Sequence, residues 1–372
     1  MKILPWTKIL PVLTTRYLLR EILTNFLAVV FLTLFLLYIT RMANFGPDLF
    51  ALQATARDFA LFSLDLTVFL LPFALPLAAL LGVLLAFMRL AHDQELLAFS
   101  ALGVSPWRLY RPVAWFALGI FILTLILNIF LLPRAKRGMR DLLYFLSARR
   151  IERGLPERTP VDWFPGLVFY AERVRKKFRF REVYILDETR PGKRGFLYAR
   201  KGELLLRDRE AELILKQGEG HYFSRDFREA ENFYFGEYRY RLPLNLAGER
   251  ELKRGEMGLS ALLARARDRR LPPHKRRKYL TEFYQRFFYP LSALVLPFLG
   301  LPLGARLKSS GRGLALAAGL GLYLCYYLLF SLGTGFSESG YLPSPVALGL
   351  PSILMGAVAV LAGWDFLRRE GR

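Results

Sequence analysis

The chain has 372 residues, of which 53% are hydrophobic and 23% charged, and its formal net charge at pH 7 is +22. This composition excludes an ordinary soluble domain, because several uncharged apolar runs reach the roughly 20 residues of helix that cross a bilayer. Much of the positive charge lies between Arg134 and Lys278, a segment with 37 basic and 21 acidic residues. Such an excess is typical of nucleic-acid binding, of anionic-lipid binding, or simply of a solvated basic surface.

The apolar runs form two sets of three, separated by a long polar segment. This layout predicts an α-helical membrane protein with six transmembrane helices and a water-facing domain inserted between helices 3 and 4. The six runs are Ile22–Thr40, Leu66–Met88, Pro112–Pro133, Phe287–Ala305, Gly313–Phe336 and Tyr341–Trp364.

The positions of the lysines and arginines predict the orientation. With six spans, four short basic segments fall on one side of the membrane: residues 1–21, 89–111, 306–312 and 368–372. Short basic segments stay in the cytoplasm, whereas long domains cross largely regardless of their charge. We therefore expect both termini in the cytoplasm and the inserted domain outside it, where nucleic acid is not the partner.

The inserted segment has the pattern of β-structure. Short aromatic and aliphatic runs alternate with polar residues at period two, as in Phe178–Arg181 and Tyr238–Arg241. We interpret Pro191-Gly192 and three further glycines as turn signals between short strands, which predicts an all-β sandwich or jelly roll. The flanks, at about 134–152 and 257–282, have a helical pattern. The three glycines are Gly202, Gly218 and Gly220.

Aromatic residues are frequent in this inserted segment. They fit either the core of the sandwich or a groove for acyl chains, and a jelly roll that opens along one seam would use both. The candidates are Phe178, Phe180, Tyr184, Phe233, Phe235, Tyr238 and Tyr240.

Catalytic motifs are missing from the sequence. It has no phosphate-binding loop of the form G-x-x-x-x-G-K-[ST], and His92, His221 and His274 lie far apart without partners at metal-ligand spacing. Gly300-Leu-Pro-Leu-Gly304 follows no strand, so we assign it to helix packing. We expect no catalytic residue, metal or cofactor in this chain.

The loop between the second and third spans predicts a short amphipathic helix. Asp93 is the expected cap, Leu96, Leu97 and Ala101 are expected on one face, and Gly103 is expected to end the helix before Ser105-Pro106 begins the next. Such a helix suits docking into a groove on a partner, and equally suits the lipid interface.

Several motifs together resemble the LptF/LptG (YjgP/YjgQ) permease subunits of the lipopolysaccharide exporter. They are the opening Arg16-Tyr17-Leu-Leu-Arg20-Glu21, the segment Glu95-Leu-Leu-Ala-Phe-Ser-Ala-Leu-Gly103-Val-Ser105, the β insert, and Pro302-Leu-Gly304 followed by Gly311-Arg-Gly313. The resemblance covers essentially the whole chain and fits the F-like and the G-like paralogue equally.

The resemblance implies partners and a location. Such subunits pair with a paralogous permease in the bacterial inner membrane and bind a cytoplasmic LptB-like ATPase dimer, which carries ATP and Mg²⁺. They also associate with a single-span LptC-like protein. They extract lipopolysaccharide from the outer leaflet and pass it through their jelly rolls to a periplasmic bridge.

The resemblance also suggests site residues. Glu95 matches the coupling-helix glutamate that pairs with a basic residue of the ATPase, and Arg89 in the same loop is assigned to coupling with it. Arg41, Arg134 and Arg137 are expected at the outer mouth, where arginine suits lipid phosphates. Ordinary snorkelling to the interface would explain these three equally.

The expected domains are residues 1–133 with three transmembrane helices and a coupling helix at about 92–104, residues 134–280 with the periplasmic β domain, and residues 281–372 with three further helices. The leading hypothesis is a permease subunit that moves lipopolysaccharide or a related glycolipid. The alternative is a membrane-anchored periplasmic scaffold or binding protein without transport. A lipid-modifying enzyme is disfavoured, because the sequence offers no nucleophile with a matching base. Asp65 is a rare charge at membrane depth with no assigned role, and a salt bridge with Arg57 or Arg41 is an open alternative.

Overall fold

The computed structural model describes residues 6–153, 160–164, 167–175, 179–187, 193–207, 210–224, 230–242, 252–309 and 311–370. The chain divides into two units. One comprises Met1–Gly46, Ala60–Met139 and Leu252–Arg372 and is helical, and the other comprises Pro47–Phe59 and Arg140–Glu251 and contains a β-sheet. The predicted fold class, membrane-spanning helices with an inserted all-β domain, is confirmed.

Ten α-helices are found in the described residues. A π-helical segment, Leu127–Leu131, joins the fourth helix to the fifth without a break. The helices are α1 (Trp6–Ala51), α2 (Ala56–His92), α3 (Glu95–Ala101), α4 (Pro106–Ile126), α5 (Leu132–Arg153), α6 (Leu259–Arg267), α7 (Pro273–Phe288), α8 (Leu291–Arg306), α9 (Gly311–Ser339) and α10 (Ser344–Glu370).

Among the described residues, five helical runs are long and apolar enough to cross a membrane, and a sixth forms if α7 and α8 count as one broken span. These two helices meet at an angle of 41°. The break falls at Tyr289-Pro290, where proline lacks the backbone N–H that would continue the helical hydrogen bonds. The predicted fourth span at 287–305 is therefore part of a longer bent pair. The five runs are Thr14–Ala51, Ala56–His92, Pro106–Leu146, Gly311–Ser339 and Ser344–Arg368.

Helix α2 is the centre of the helical unit. In its most apolar stretch 72% of the residues are buried, against 17% in α1. The exposed side of α1 carries large apolar side chains such as Phe31 and Phe35, which stack on each other with ring centroids 6.3 Å apart. This side is suited to lipid or to another membrane chain.

Glycines of α8 allow this helix to approach α2 closely. A Cβ atom at Gly300 would lie 2.8 Å from the Leu80 carbonyl oxygen, and one at Gly304 would overlap the Leu84 carbonyl oxygen. Glycines four residues apart on one helix face remove the side chains that would separate the two backbones. The packing role predicted for Gly300 and Gly304 is confirmed.

In the part of the chain that the structure describes, the β-sheet has six antiparallel strands, and the order of strands in the sheet is their order in the chain. Strands β4 and β5 are longer than predicted, because Gly202, Gly218 and Gly220 lie inside strands and not in turns. A Cβ atom at Gly220 would overlap the Phe233 ring, so this glycine makes room for an aromatic side chain. Pro191-Gly192 lies outside the described residues. The strands are β1 (Val161–Phe164), β2 (Leu167–Arg175), β3 (Arg179–Asp187), β4 (Lys193–Arg207), β5 (Glu210–Ser224) and β6 (Ala230–Leu242).

In β3 and β5 the alternation of side chains between the two faces of the sheet is interrupted, at positions that lie opposite each other across β4. Glu182 of β3 and Gln217 of β5 have left-handed φ values of 51° and 57°. The pairs on either side of them place both residues opposite Arg200 of β4. The buried residues of β3 consequently include Phe180 and Val183, three positions apart, and not two. The shift keeps apolar side chains on the same face along the whole strand.

The sheet separates its aromatic residues between two faces. Phe180 lies in the core, with Phe233, Phe235, Tyr238 and Tyr240 partly buried against it. Tyr184 alternates with buried neighbours and so lies on the opposite face, where it contacts Tyr170, Phe196 and Tyr198. There the Tyr198 hydroxyl donates a hydrogen bond to the Glu182 carboxylate, which raises the pKa of Tyr198. Phe178 lies outside the described residues.

Candidate functional site

The short helix α3 is bounded at each end by a residue with a left-handed backbone conformation. Gln94 has a left-handed φ of 61° and precedes Glu95, the first helical residue, while Gly103 has a φ of 76° just after the helix. Ser105 then precedes Pro106, the first residue of α4, as predicted. The predicted cap is wrong, because Gln94 occupies the cap position and the Asp93 carboxylate accepts a hydrogen bond from Arg89 Nε at 3.3 Å.

Helix α3 presents an exposed apolar surface. Leu96 is 5% exposed and packs in the helical core, whereas Leu97 and Leu102 are each 65% exposed and Ala101 is also exposed. The prediction that Leu96, Leu97 and Ala101 share one face is therefore wrong. Successive helical residues are about 100° apart, so Leu96 faces the core while Leu97 and Ala101, four residues apart, share the exposed side.

A tyrosine of α1 holds the first residue of α3. The Tyr17 hydroxyl lies 2.8 Å from Glu95 Oε2 and 3.1 Å from Oε1, within hydrogen-bond distance of both. The contact joins two sequence motifs that are 78 residues apart. Because it is exposed to solvent, we expect it to contribute about 0.5–1.5 kcal/mol.

A second connection between α1 and the end of α2 lies beside the first. Arg89 Nη1 lies 2.6 Å from Glu21 Oε1, and Arg89 Nε also binds Asp93. The Asn25 amide donates to the same Glu21 oxygen at 3.2 Å. Arg89 thus has two acidic partners within its own chain. The motif containing Tyr17 and Glu21 was visible in the sequence, but not its contact with residues 89–95.

The predicted cations of the outer mouth differ in their surroundings. Arg41 Cζ lies 5.8 Å from the centroid of the Phe69 ring, and Lys136 Nζ lies 5.9 Å from the same centroid. These distances are typical of cation–π interactions. Arg137 Nη2 donates to the Glu256 carbonyl oxygen at 2.9 Å, and Arg134 is exposed. The structure therefore brings Arg41 together with Lys136, a residue that the sequence analysis did not select.

Asp65 packs against the backbone of α5. A Cβ atom at Gly138 would overlap the Asp65 carboxylate, so glycine is what permits this approach. Among the described residues, Asp65 and Arg41 form no ion pair within 4.0 Å. Asp65 therefore contacts the helix that carries Lys136 and Arg137.

The histidines have ordinary polar contacts. His92 Nδ1 lies 3.3 Å from the Lys308 carbonyl oxygen, and His221 Nδ1 lies 2.8 Å from Asn232 Oδ1. Among the residues that the structure describes, no group of three or more His, Cys, Asp or Glu side chains has an arrangement that could hold a metal ion.

Comparison with known proteins identifies one family. The chain is similar to the model of the lipopolysaccharide export system permease LptF/LptG, which matches residues 16–365. The match includes α3, the sheet and both sets of membrane-spanning helices. A search of curated proteins gave no match.

Proposed function

Because the chain belongs to the lipopolysaccharide export permease family LptF/LptG, we propose that it is one permease half of an ATP-driven exporter of lipopolysaccharide or a related glycolipid. It works with a paralogous permease, an LptB-like ATPase dimer that binds ATP and Mg²⁺, and an LptC-like single-span protein. Both termini face the cytoplasm and the β domain faces the periplasm. The family match over residues 16–365 is the observation that carries this proposal.

Coupling to the ATPase is proposed for α3. Its exposed Leu97 and Leu102 offer an apolar surface to a groove on the ATPase, with Glu95 at its edge to pair with a basic residue. The contacts from Glu95 to Tyr17 and from Arg89 to Glu21 join this region to α1. A displacement of α3 by the ATPase is thereby passed directly to the first span.

Glycolipid binding is proposed for Arg41, Arg134 and Arg137. Arginine makes charge-assisted, often bidentate hydrogen bonds to phosphate. The aromatic side chains of β6, partly buried against the sheet core, are suited to acyl chains that leave the membrane. Passage along this face toward a periplasmic bridge completes the proposed route.

The variant Arg41→Gln/Arg134→Gln/Arg137→Gln is expected to bind less glycolipid. A loss of only about 1.4 kcal/mol would lower the affinity tenfold. The measurement is lipopolysaccharide copurified per protein, by mass spectrometry. The matched control, Arg108→Gln/Arg111→Gln/Arg312→Gln, removes three exposed charges from the other end of the spans. Equal glycolipid occupancy in both triple variants would instead support interfacial snorkelling.

The overall proposal is tested by reconstitution. The chain is co-expressed with and without a candidate ATPase and paralogous permease, and ATP turnover is measured together with glycolipid release to a periplasmic acceptor. We expect turnover and release only in the complete assembly. A stable chain that recruits a periplasmic partner, yet neither binds nor stimulates an ATPase, would support the scaffold alternative.

A further inference from the structure

A buried arginine lies in α7 without a partner. The Arg286 side chain is 2% exposed, and its Nε, Nη1 and Nη2 atoms have no hydrogen-bond partner among the described residues. A guanidinium group stays protonated at any ordinary pH. A charge taken out of water costs several kcal/mol unless an opposite charge or hydrogen bonds compensate it. Within the described residues no hydrogen bond compensates this charge, so the position is suited to an anion.

Arg286 lines a cavity of about 200 Å³ within the helical unit. Lys136 of α5 lines the same cavity, as does Glu282, one helical turn before Arg286. In the described structure neither cation is within 4.0 Å of the Glu282 carboxylate. Two cations face one carboxylate, so the wall of the cavity carries a formal charge of +1.

The rest of the wall combines hydrogen-bonding groups with an apolar surround. Gln285 and Thr334 contribute polar side chains, while Phe73, Leu132 and Phe330 are apolar. Apolar surroundings lower the local dielectric constant and so strengthen the attraction between an anion and the two cations.

One wall of the cavity is formed where a helix is irregular. Asn128 lies in the π-helical segment Leu127–Leu131, and its amide nitrogen donates to the Thr124 carbonyl oxygen at 3.0 Å. An extra residue in a helical turn is costly and is often found at functional sites. Here the π-helical segment immediately precedes α5, the helix that carries Lys136.

We propose that this cavity is a binding site for a phosphoryl oxyanion, held by the guanidinium of Arg286 and the ammonium of Lys136. Arg286 provides the planar pair of donors that matches two phosphate oxygens, and Lys136 provides a point charge. The cavity, at about 200 Å³, has room for a phosphate group. The phosphoryl group belongs to a membrane phospholipid headgroup or to free phosphate.

This site adjoins the proposed glycolipid contacts, because Lys136 shares the Phe69 ring with Arg41 and lies between Arg134 and Arg137 in the chain, whereas Arg286 is not one of those contacts. Its ligand would bridge α5 and α7 and so compensate the buried charge between them. The inference depends only on the geometry of the described helices, so it is tested independently of glycolipid export.

The test uses Arg286→Met in the full chain, with Lys136→Met as a second variant and Lys278→Met as the control. Lys278 is an exposed cation on the same helix, outside the cavity. Thermal unfolding is followed in phosphate-free detergent with and without inorganic phosphate. It is followed again in phosphatidylcholine nanodiscs with and without phosphatidic acid.

Phosphate or phosphatidic acid is expected to raise the unfolding midpoint of the wild type and of Lys278→Met, and this shift is expected to disappear in Arg286→Met. A response to the lipid alone would identify a headgroup, and a response to inorganic phosphate would identify the free ion. If Arg286→Met fails to fold, Lys136→Met takes its place and is expected to lose most of the shift. An unchanged shift in the folded cavity variants, or no shift in the wild type, would overturn the proposal.

Discussion

Glu95→Lys is expected to abolish glycolipid release while the protein stays folded and the assembled complex still hydrolyses ATP. The substitution replaces a carboxylate by a cation opposite the basic residue proposed on the ATPase. Reversing one partner of an interfacial charge pair costs about 2 kcal/mol or more. Glu95 is the first residue of α3 and is only partly buried. The measurement is the number of glycolipid molecules released per ATP hydrolysed.

A matched variant separates this role from a purely internal one. Tyr17→Phe removes the hydroxyl that bonds to Glu95 and leaves the carboxylate free for the ATPase. We expect Tyr17→Phe to retain release within about tenfold of wild type, because an exposed hydrogen bond contributes only about 1 kcal/mol. If Tyr17→Phe were as defective as Glu95→Lys, Glu95 would act by holding α3 to α1. Normal release by Glu95→Lys would refute the coupling role.

Gly304→Ala is expected to destabilise the helical unit strongly. The added methyl group would overlap the Leu84 carbonyl oxygen and approach the Met88 backbone nitrogen to 2.9 Å. These are backbone atoms of the central helix and cannot move aside as a side chain could. We therefore expect the free energy of unfolding to fall by about 1–3 kcal/mol or more, as in an overpacked core. The measurement is the unfolding midpoint in detergent, read as loss of the monodisperse peak after heating.

The control is Gly321→Ala on α9. A Cβ atom there has nothing within 4 Å, so no packing penalty is expected. Alanine is about 1 kcal/mol better than glycine inside a helix, and the midpoint should be unchanged or higher. Gly304→Ala unfolding at the midpoint of Gly321→Ala would contradict the close approach of α8 to α2.

The fold class was accessible from the sequence because its signals are local. An uncharged run long enough to cross the bilayer stands out in the sequence at Leu66–Met88, whatever the rest of the chain does. Period-two alternation at Tyr238–Arg241 likewise identifies the strand β6, Ala230–Leu242. The glycines inside strands were wrongly predicted as turns, because a residue without a side chain favours a turn and equally makes room for an aromatic ring across the sheet, as Gly220 does for Phe233.

The candidate site was accessible only in part. Glu95 and Arg41 could be selected from motifs and positions along the chain, but Tyr17, Glu21 and Lys136 enter the site through contacts between helices. Lys136 lies between Arg134 and Arg137 in the sequence. About 100° of rotation per residue turns it to another side of α5.

Run length, charge asymmetry and period-two alternation were sufficient to derive a membrane protein with a β insert, and short motifs such as Glu95–Ser105 suggested its family, since each is a property of neighbouring residues. The arrangement of the helices was needed to find which buried charged groups have a hydrogen-bond or ion-pair partner. Arg286 reads in the sequence as one more base in a basic helix, and its charge becomes costly only because α7 packs it among α2, α5 and α9. Burial depends on residues distant in the chain, and burial turns an ordinary arginine into a candidate anion site.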